Sequence, residues 1–209
     1  MWGLVVVFGI ETLAESGGRR LAPEARRAQL LCCAVAAFAA MGLERATHAE
    51  TARLAKVSVP TAFVYFPTRG DLVAAVLGEV ERFLDRIVEA SMSLDAPPKE
   101  RLAALARAFA HAADGPGHLS RVWLDWSTAV RADVWPSYLK VQERIVTRVT
   151  DAVTEHRARK SGKPIVADES AARMFVGSGH TVALMKLAGA PEKDVDRLIG
   201  VVVAATLAG

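Results

Sequence analysis

The chain has 209 residues, of which 52% are hydrophobic, with 26 Lys/Arg against 23 Asp/Glu and a net charge of +3. That content excludes a largely disordered chain, and the length suffices to bury a core without disulfides. Its two cysteines, Cys32 and Cys33, are adjacent, which excludes a disulfide framework or a spaced metal knuckle and fits a reducing, cytoplasmic setting. Charge is unevenly placed. From Arg19 to Gly70 eight bases face three acids, so this quarter is about +5 and the rest about −2, a pattern that points to a polyanionic partner.

In chain order, Trp2 to Ile10 is apolar, but nine residues do not span a bilayer. No lysine or arginine precedes the run, as a secretory signal requires. Residues 1–18 are therefore expected to form a disordered extension, and no membrane association is expected. Leu31, Ala34, Val35 and Phe38 then mark a helical stripe that Gly42 ends. Thr47 is placed to cap a short helix over 48–55, with Glu50 at the capping-box position. Lys56 and Val57 make a tight turn, and Ser58 caps a second short helix over 59–66. Pro60 is tolerated in its first turn, where a missing N–H has no intrahelical partner. Pro67 stops it, and Thr68 caps the next helix with Asp71 in the first turn.

Two short helices across such a turn are a helix-turn-helix, with Ala52, Leu54, Ala55 and Val57 packing the pair. A hairpin of this kind either reads DNA or simply packs in a bundle. Further stripes follow over 72–87, 138–153, 175–183 and 195–203, separated by proline and glycine, with Gly115-Pro116-Gly117 a linker. No alternating strand pattern appears. The reading is all-α, about nine helices without repeats: a helix-turn-helix domain over 19–70 and a helical ligand-binding and dimerisation domain over 71–209. The last two helices, about 168–208, carry Gly177, Ser178, Gly179 and Ala183 and then a segment apolar on most sides. They are expected to form a homodimer interface.

The pattern Ala52-x-x-Ala55-x-Val57-Ser58-x-x-Thr61-x-x-x-Tyr65-Phe66-x-x-Arg69-x-x-Leu72 resembles the TetR family of transcriptional regulators. Arg20-Leu-Ala-Pro-Glu, the phrase Tyr65-Phe-Pro-Thr-Arg69, and Val122-Trp-x-x-Trp-Ser127 followed by Val134-Trp-Pro136 are similar to its LuxR/HapR/SmcR branch of quorum-sensing regulators. The resemblance implies double-stranded DNA as partner. Thr61 and Tyr65 are implied to bond phosphates, with Arg69 reaching the backbone from the next helix. Ser58, Val59, Pro60 and Val64 are implied to face the groove, and Thr47 belongs to the same DNA-facing set. Arg19 and Arg20 match an arm that enters the minor groove. Two positions depart from the pattern: Val64 stands where the branch carries asparagine, and Lys56 where the wider family uses glycine.

The resemblance also implies a small-molecule pocket in the body. Candidates for its apolar lining are Phe109, Trp123, Trp126, Trp135, Phe175, Met174 and Met185, with Ser127 and His180 as polar anchors. No catalytic signature is present. His48-Ala49-Glu50 lacks a following Pro-Cys-x-x-Cys, the five histidines form no metal pair, and there is no GxSxG or phosphate-binding glycine loop. No enzyme activity, metal or cofactor is expected. The expected function is a TetR-type regulator that binds a pseudo-palindromic operator as a homodimer under the control of a small apolar ligand. The rival is a helical bundle that binds a small molecule without DNA.

Overall fold

The computed structural model describes residues 21–113, 118–130, 133–162 and 169–208. Among them the chain forms nine helices and no strand. These are α1 (Pro23–Met41), α2 (His48–Ala55), α3 (Val59–Tyr65), α4 (Arg69–Met92), α5 (Pro98–Ala112), α6 (His118–Thr128), α7 (Trp135–Ser161), α8 (Glu169–Leu187) and α9 (Glu192–Leu207). The all-α expectation holds. Residues 1–18, Arg19, Arg20 and the Gly115–Gly117 linker lie outside the described residues.

Local chemistry sets the helix ends. α1 starts at Pro23, whose fixed φ suits the first helical position, and stops at Gly42 with φ +84°. Asp125 Oδ2 would lie 3.4 Å from a Cβ at Gly42. That distance is ordinary contact, so it is the backbone angle that favours glycine there. α2 ends in a Schellman motif: Val57 N–H donates to Ala52 O at 3.0 Å and Lys56 N–H to Arg53 O at 3.2 Å. Lys56 takes the left-handed position, φ 54° and ψ 44°, the one non-glycine residue with positive φ among the described residues. Lysine in place of glycine costs about 1 kcal/mol in that conformation.

The chain divides into two compact units. The first contains the described residues up to Val80 together with α6. α6 lies within the 71–209 segment expected to form the body, and it packs along α1. The core of this unit contains Leu30, Phe38, Leu72 and Val76 with Trp126 of α6, all nearly inaccessible to solvent. Cys32 and Cys33 lie on α1, half-buried and buried. Burial pushes the Cys33 thiol up to about 11 and raises Cys32 as well, with Glu79 adding to the effect there. Such thiols are poor nucleophiles at neutral pH.

The second unit comprises the remainder of α4 with α5, α7, α8 and α9. Its core draws Leu102 from α5, Val146 and Val149 from α7, Phe175 and Val182 from α8, and Ile199 and Val203 from α9. On its surface Arg144 of α7 meets Glu81 at 2.6 Å and Asp85 at 3.3 Å, and Arg148 meets Glu89 at 3.1 Å. The four-residue spacing on both helices makes this a ladder between α4 and α7. Each exposed pair contributes at most about 1 kcal/mol, so the ladder sets register more than stability.

Candidate nucleic-acid interface

Thr47 begins α2 as an N-cap, its Oγ1 accepting from Glu50 N–H at 3.3 Å. The Glu50 carboxylate does not close a box with it: Arg53 holds both oxygens, at 2.8 and 2.7 Å. That contact lowers the Glu50 pKa. The reciprocal box sits two helices later, at the start of α4. Thr68 N–H donates to Asp71 Oδ2 at 2.9 Å, and Asp71 N–H to Thr68 Oγ1 at 3.1 Å. This box starts α4 directly after Pro67.

Ser58 caps α3, accepting from Thr61 N–H at 3.3 Å, with its Oγ 2.8 Å from Thr61 Oγ1. Ala52, Ala55 and Ala62 are fully buried where α2 and α3 cross. Small side chains there let the two helices approach closely. Leu54 and Val57, expected to share that contact, are half-buried. Phe66, at the C-cap of α3, is 1% exposed. The Arg27 guanidinium lies over its ring, 5.2 Å from the centroid.

The residue that fastens α3 escaped the sequence reading. His48 is buried, its Nε2 lies 2.7 Å from Phe66 O, and its ring stacks on Phe63 at 4.0 Å. One imidazole thus closes the hairpin by a bond to the end of α3 and a ring contact to its middle. A histidine at the first position of a helix, turned inward, is the only sequence signal for it. Its partners lie 15 and 18 residues away.

The residues expected to face DNA fall into groups. Val59, Pro60, Phe63 and Val64 are exposed on α3, while Thr61 and Tyr65 are half-buried on its flank. Thr47 and Ser58 are exposed at the two helix starts. Arg69 was expected to reach a DNA phosphate. Its Nη2 donates to Leu43 O and, at 2.9 Å, to Glu44 O, holding the loop between α1 and α2. Asp125 of α6 takes the other side of the same residue, accepting from Leu43 N–H at 2.5 Å. Residues 51–70 contain no carboxylate and three bases, Arg53, Lys56 and Arg69. The acids at their borders, Glu50 and Asp71, are engaged by Arg53 and by the α4 cap.

The residues proposed as pocket lining are divided between the units. Trp123 and Trp126 are buried in the first, and Ser127 Oγ there donates to Leu124 O at 2.7 Å on its own helix. In the second unit Phe175 is in the core, with Phe109 and Met185 packed against it. Trp135 stacks on Tyr138 at 4.9 Å. His180 has its pKa lowered by burial, against a bond with the Gly177 backbone. Met174 is 49% exposed and does not line that core. Thr150, missed in the sequence, is buried there with its hydroxyl unpartnered among the described residues. Among the described residues no group of His, Cys, Asp and Glu is arranged to hold a metal. None of the described helices is long and apolar enough to cross a membrane.

This arrangement, a three-helix head followed by a helical body, is the fold of TetR-family regulators. A TetR-like transcriptional regulator from Rhodococcus sp. RHA1 superposes with a TM-score of 0.74 at 21% identity, over 91% of this chain and all of that one. The FadR regulator of Bacillus subtilis, solved in complex with stearoyl-CoA, superposes at 0.67 and 19% identity, over 87% of this chain and 98% of that one. In sequence, the chain is 36% identical over 130 residues to the HTH-type transcriptional regulator LuxR of Vibrio harveyi. That match covers 62% of this chain and 63% of LuxR, so it spans less than two thirds of the relative's length. It bears out the resemblance drawn from the motifs. No protein-family model matches the sequence.

His48→Ala removes both the bond to Phe66 O and the stack on Phe63. We expect it to lower unfolding stability by about 1–3 kcal/mol, the usual cost of orphaning a buried polar group. Chemical denaturation measures this, and an unchanged midpoint would show that His48 does not hold the hairpin.

Proposed function

We propose that the protein is a DNA-binding transcriptional regulator that works as a homodimer on a pseudo-palindromic operator. The observation that carries this is the α2–α3 hairpin: a short exposed helix within a stretch without carboxylates, held from behind by buried alanines and His48. A helix so supported presents its outer side to a major groove. Its flanking hydroxyls, Thr61 and Tyr65, serve the phosphates, and Lys56 adds positive charge beside its N-terminus. Arg19 and Arg20 extend the basic segment as a minor-groove arm. Arg69 supports the surface by fixing the α1–α2 loop, and its positive charge adds to the local field.

The dimer reading rests on α8 and α9. Met174, Leu184 and Val201 are 49%, 58% and 61% exposed on these two packed helices. Gly177 and Gly200 have open space where a Cβ would stand. Large apolar side chains beside such gaps suit a second helix pair brought close by twofold symmetry. A ligand of largely apolar character, such as an acyl chain, fits the second unit's core of Phe175, Phe109 and Met185. Thr150 and His180 are its polar anchors. Stearoyl-CoA bound to a regulator of this fold supports that class. Its occupancy changes DNA affinity only through unequal binding to the DNA-competent and incompetent states.

Two outcomes follow. Affinity for duplex DNA falls steeply with salt, and Tyr65→Phe weakens binding to all sequences to about the same extent. Flat salt dependence, or a Tyr65→Phe effect confined to some sequences, contradicts the phosphate role in a salt-titrated binding assay. Separately, Leu184→Glu with Val201→Glu converts the dimer to monomer in sedimentation velocity without loss of helical signal. A dimer that survives both changes places the interface elsewhere.

A further inference from the structure

The residues at the outermost line of α3, Pro60 and Val64, carry no side-chain group able to exchange a hydrogen bond with a base. With about 100° between successive residues, Ala62 points inward, and it is fully buried. Pro60 and Val64 are then opposite it. Val64 is 76% exposed, more than any other large hydrophobic side chain among the described residues. Val59 and Phe63 flank this ridge on one side at 38% and 45% exposure. On the other side lie Thr61 and Tyr65, half-buried. No charged or amide side chain occurs between Val59 and Phe66. The helix is thus an apolar ridge with hydroxyls along one edge.

Resting on the DNA-binding reading above, we propose that α3 selects its operator half-site through thymine 5-methyl groups, with Val64 as the residue that reads them. The occupant is fixed by chemistry on both sides of the contact. Residues 51–70 are basic and free of carboxylates, which matches a polyanion. In the major groove, thymine presents the only apolar group, its C5 methyl. The other base edges present acceptors N7 and O6 or donors N4 and N6. A valine set against those removes water without replacing its hydrogen bonds, which costs affinity. Val64 therefore favours thymine and disfavours cytosine at the same position. Pro60 and Val59 widen the apolar contact toward the neighbouring step.

Deoxyuridine provides the test, because it pairs as thymine does and lacks only the methyl. A duplex recovered by selection from random sequence is resynthesised with each half-site thymine replaced singly by deoxyuridine. Affinities are then measured for the wild-type protein, Val64→Ala and Tyr65→Phe. At one or two positions per half-site the wild type is expected to lose about three- to tenfold in affinity. That loss vanishes in Val64→Ala and persists in Tyr65→Phe. Sequence-selective binding that no deoxyuridine alters, or a penalty unchanged in Val64→Ala, overturns the proposal while leaving the DNA-binding reading intact. No affinity for any duplex at low salt overturns both.

Discussion

Everything the head presents to a partner depends on holding a seven-residue helix that cannot hold itself. Isolated helices shorter than about 12–15 residues are marginal in water, and α3 runs only from Val59 to Tyr65. Its order is supplied from one side: Ala62 against α2, Phe66 beneath the Arg27 guanidinium, and the His48 imidazole on the Phe66 carbonyl. Ser58 supplies the cap. These supports lie inward or at the ends, and none of them runs through the Pro60 or Val64 side chain. The contacts that hold the helix are thereby separate from Val64, the residue proposed to read the operator.

A second set of contacts fixes the platform beneath the hairpin. Leu43 is held through both of its backbone groups, the N–H by Asp125 of α6 and the C=O by Arg69 of α4. The loop leading into α2 is therefore determined by two helices that follow it in sequence. Gly42 directs the chain into this loop, since its positive φ ends α1. The second unit is organised by different means. Its apolar core runs through α5, α7, α8 and α9, and solvent-exposed ion pairs set the register between α4 and α7.

What was legible in the sequence was mostly local. Thr47, Ser58 and Thr68 each cap a helix within three residues of the group they bond, and Gly42 and Pro67 act on the backbone at their own positions. The tight turn at Lys56 was legible between the two capped helices, and its left-handed conformation from the glycine that the resembled family carries there. The rest depends on partners distant in the chain. His48 meets Phe66 across 18 residues and Asp125 meets Leu43 across 82, and no spacing rule reveals either. Arg69 has the residue type of a phosphate contact, yet its nearest acceptors are the carbonyls of the α1–α2 loop. Glu50 fits the capping-box pattern, but Arg53 one turn along competes for its carboxylate. Trp123 and Trp126 look alike in ligand pockets and in cores, and only the packing of α6 on α1 assigns them to the head.

The central claim is that the α2–α3 hairpin reads DNA as one half of a twofold pair. Selection of random duplex DNA by the purified full-length protein tests it most directly. The account predicts enrichment of a pseudo-palindrome whose half-sites lie about 10 base pairs apart centre to centre, or a multiple of that. Recovery of unenriched sequence with weak, sequence-indifferent binding would contradict it, and the hairpin would then be a packing element of a helical bundle.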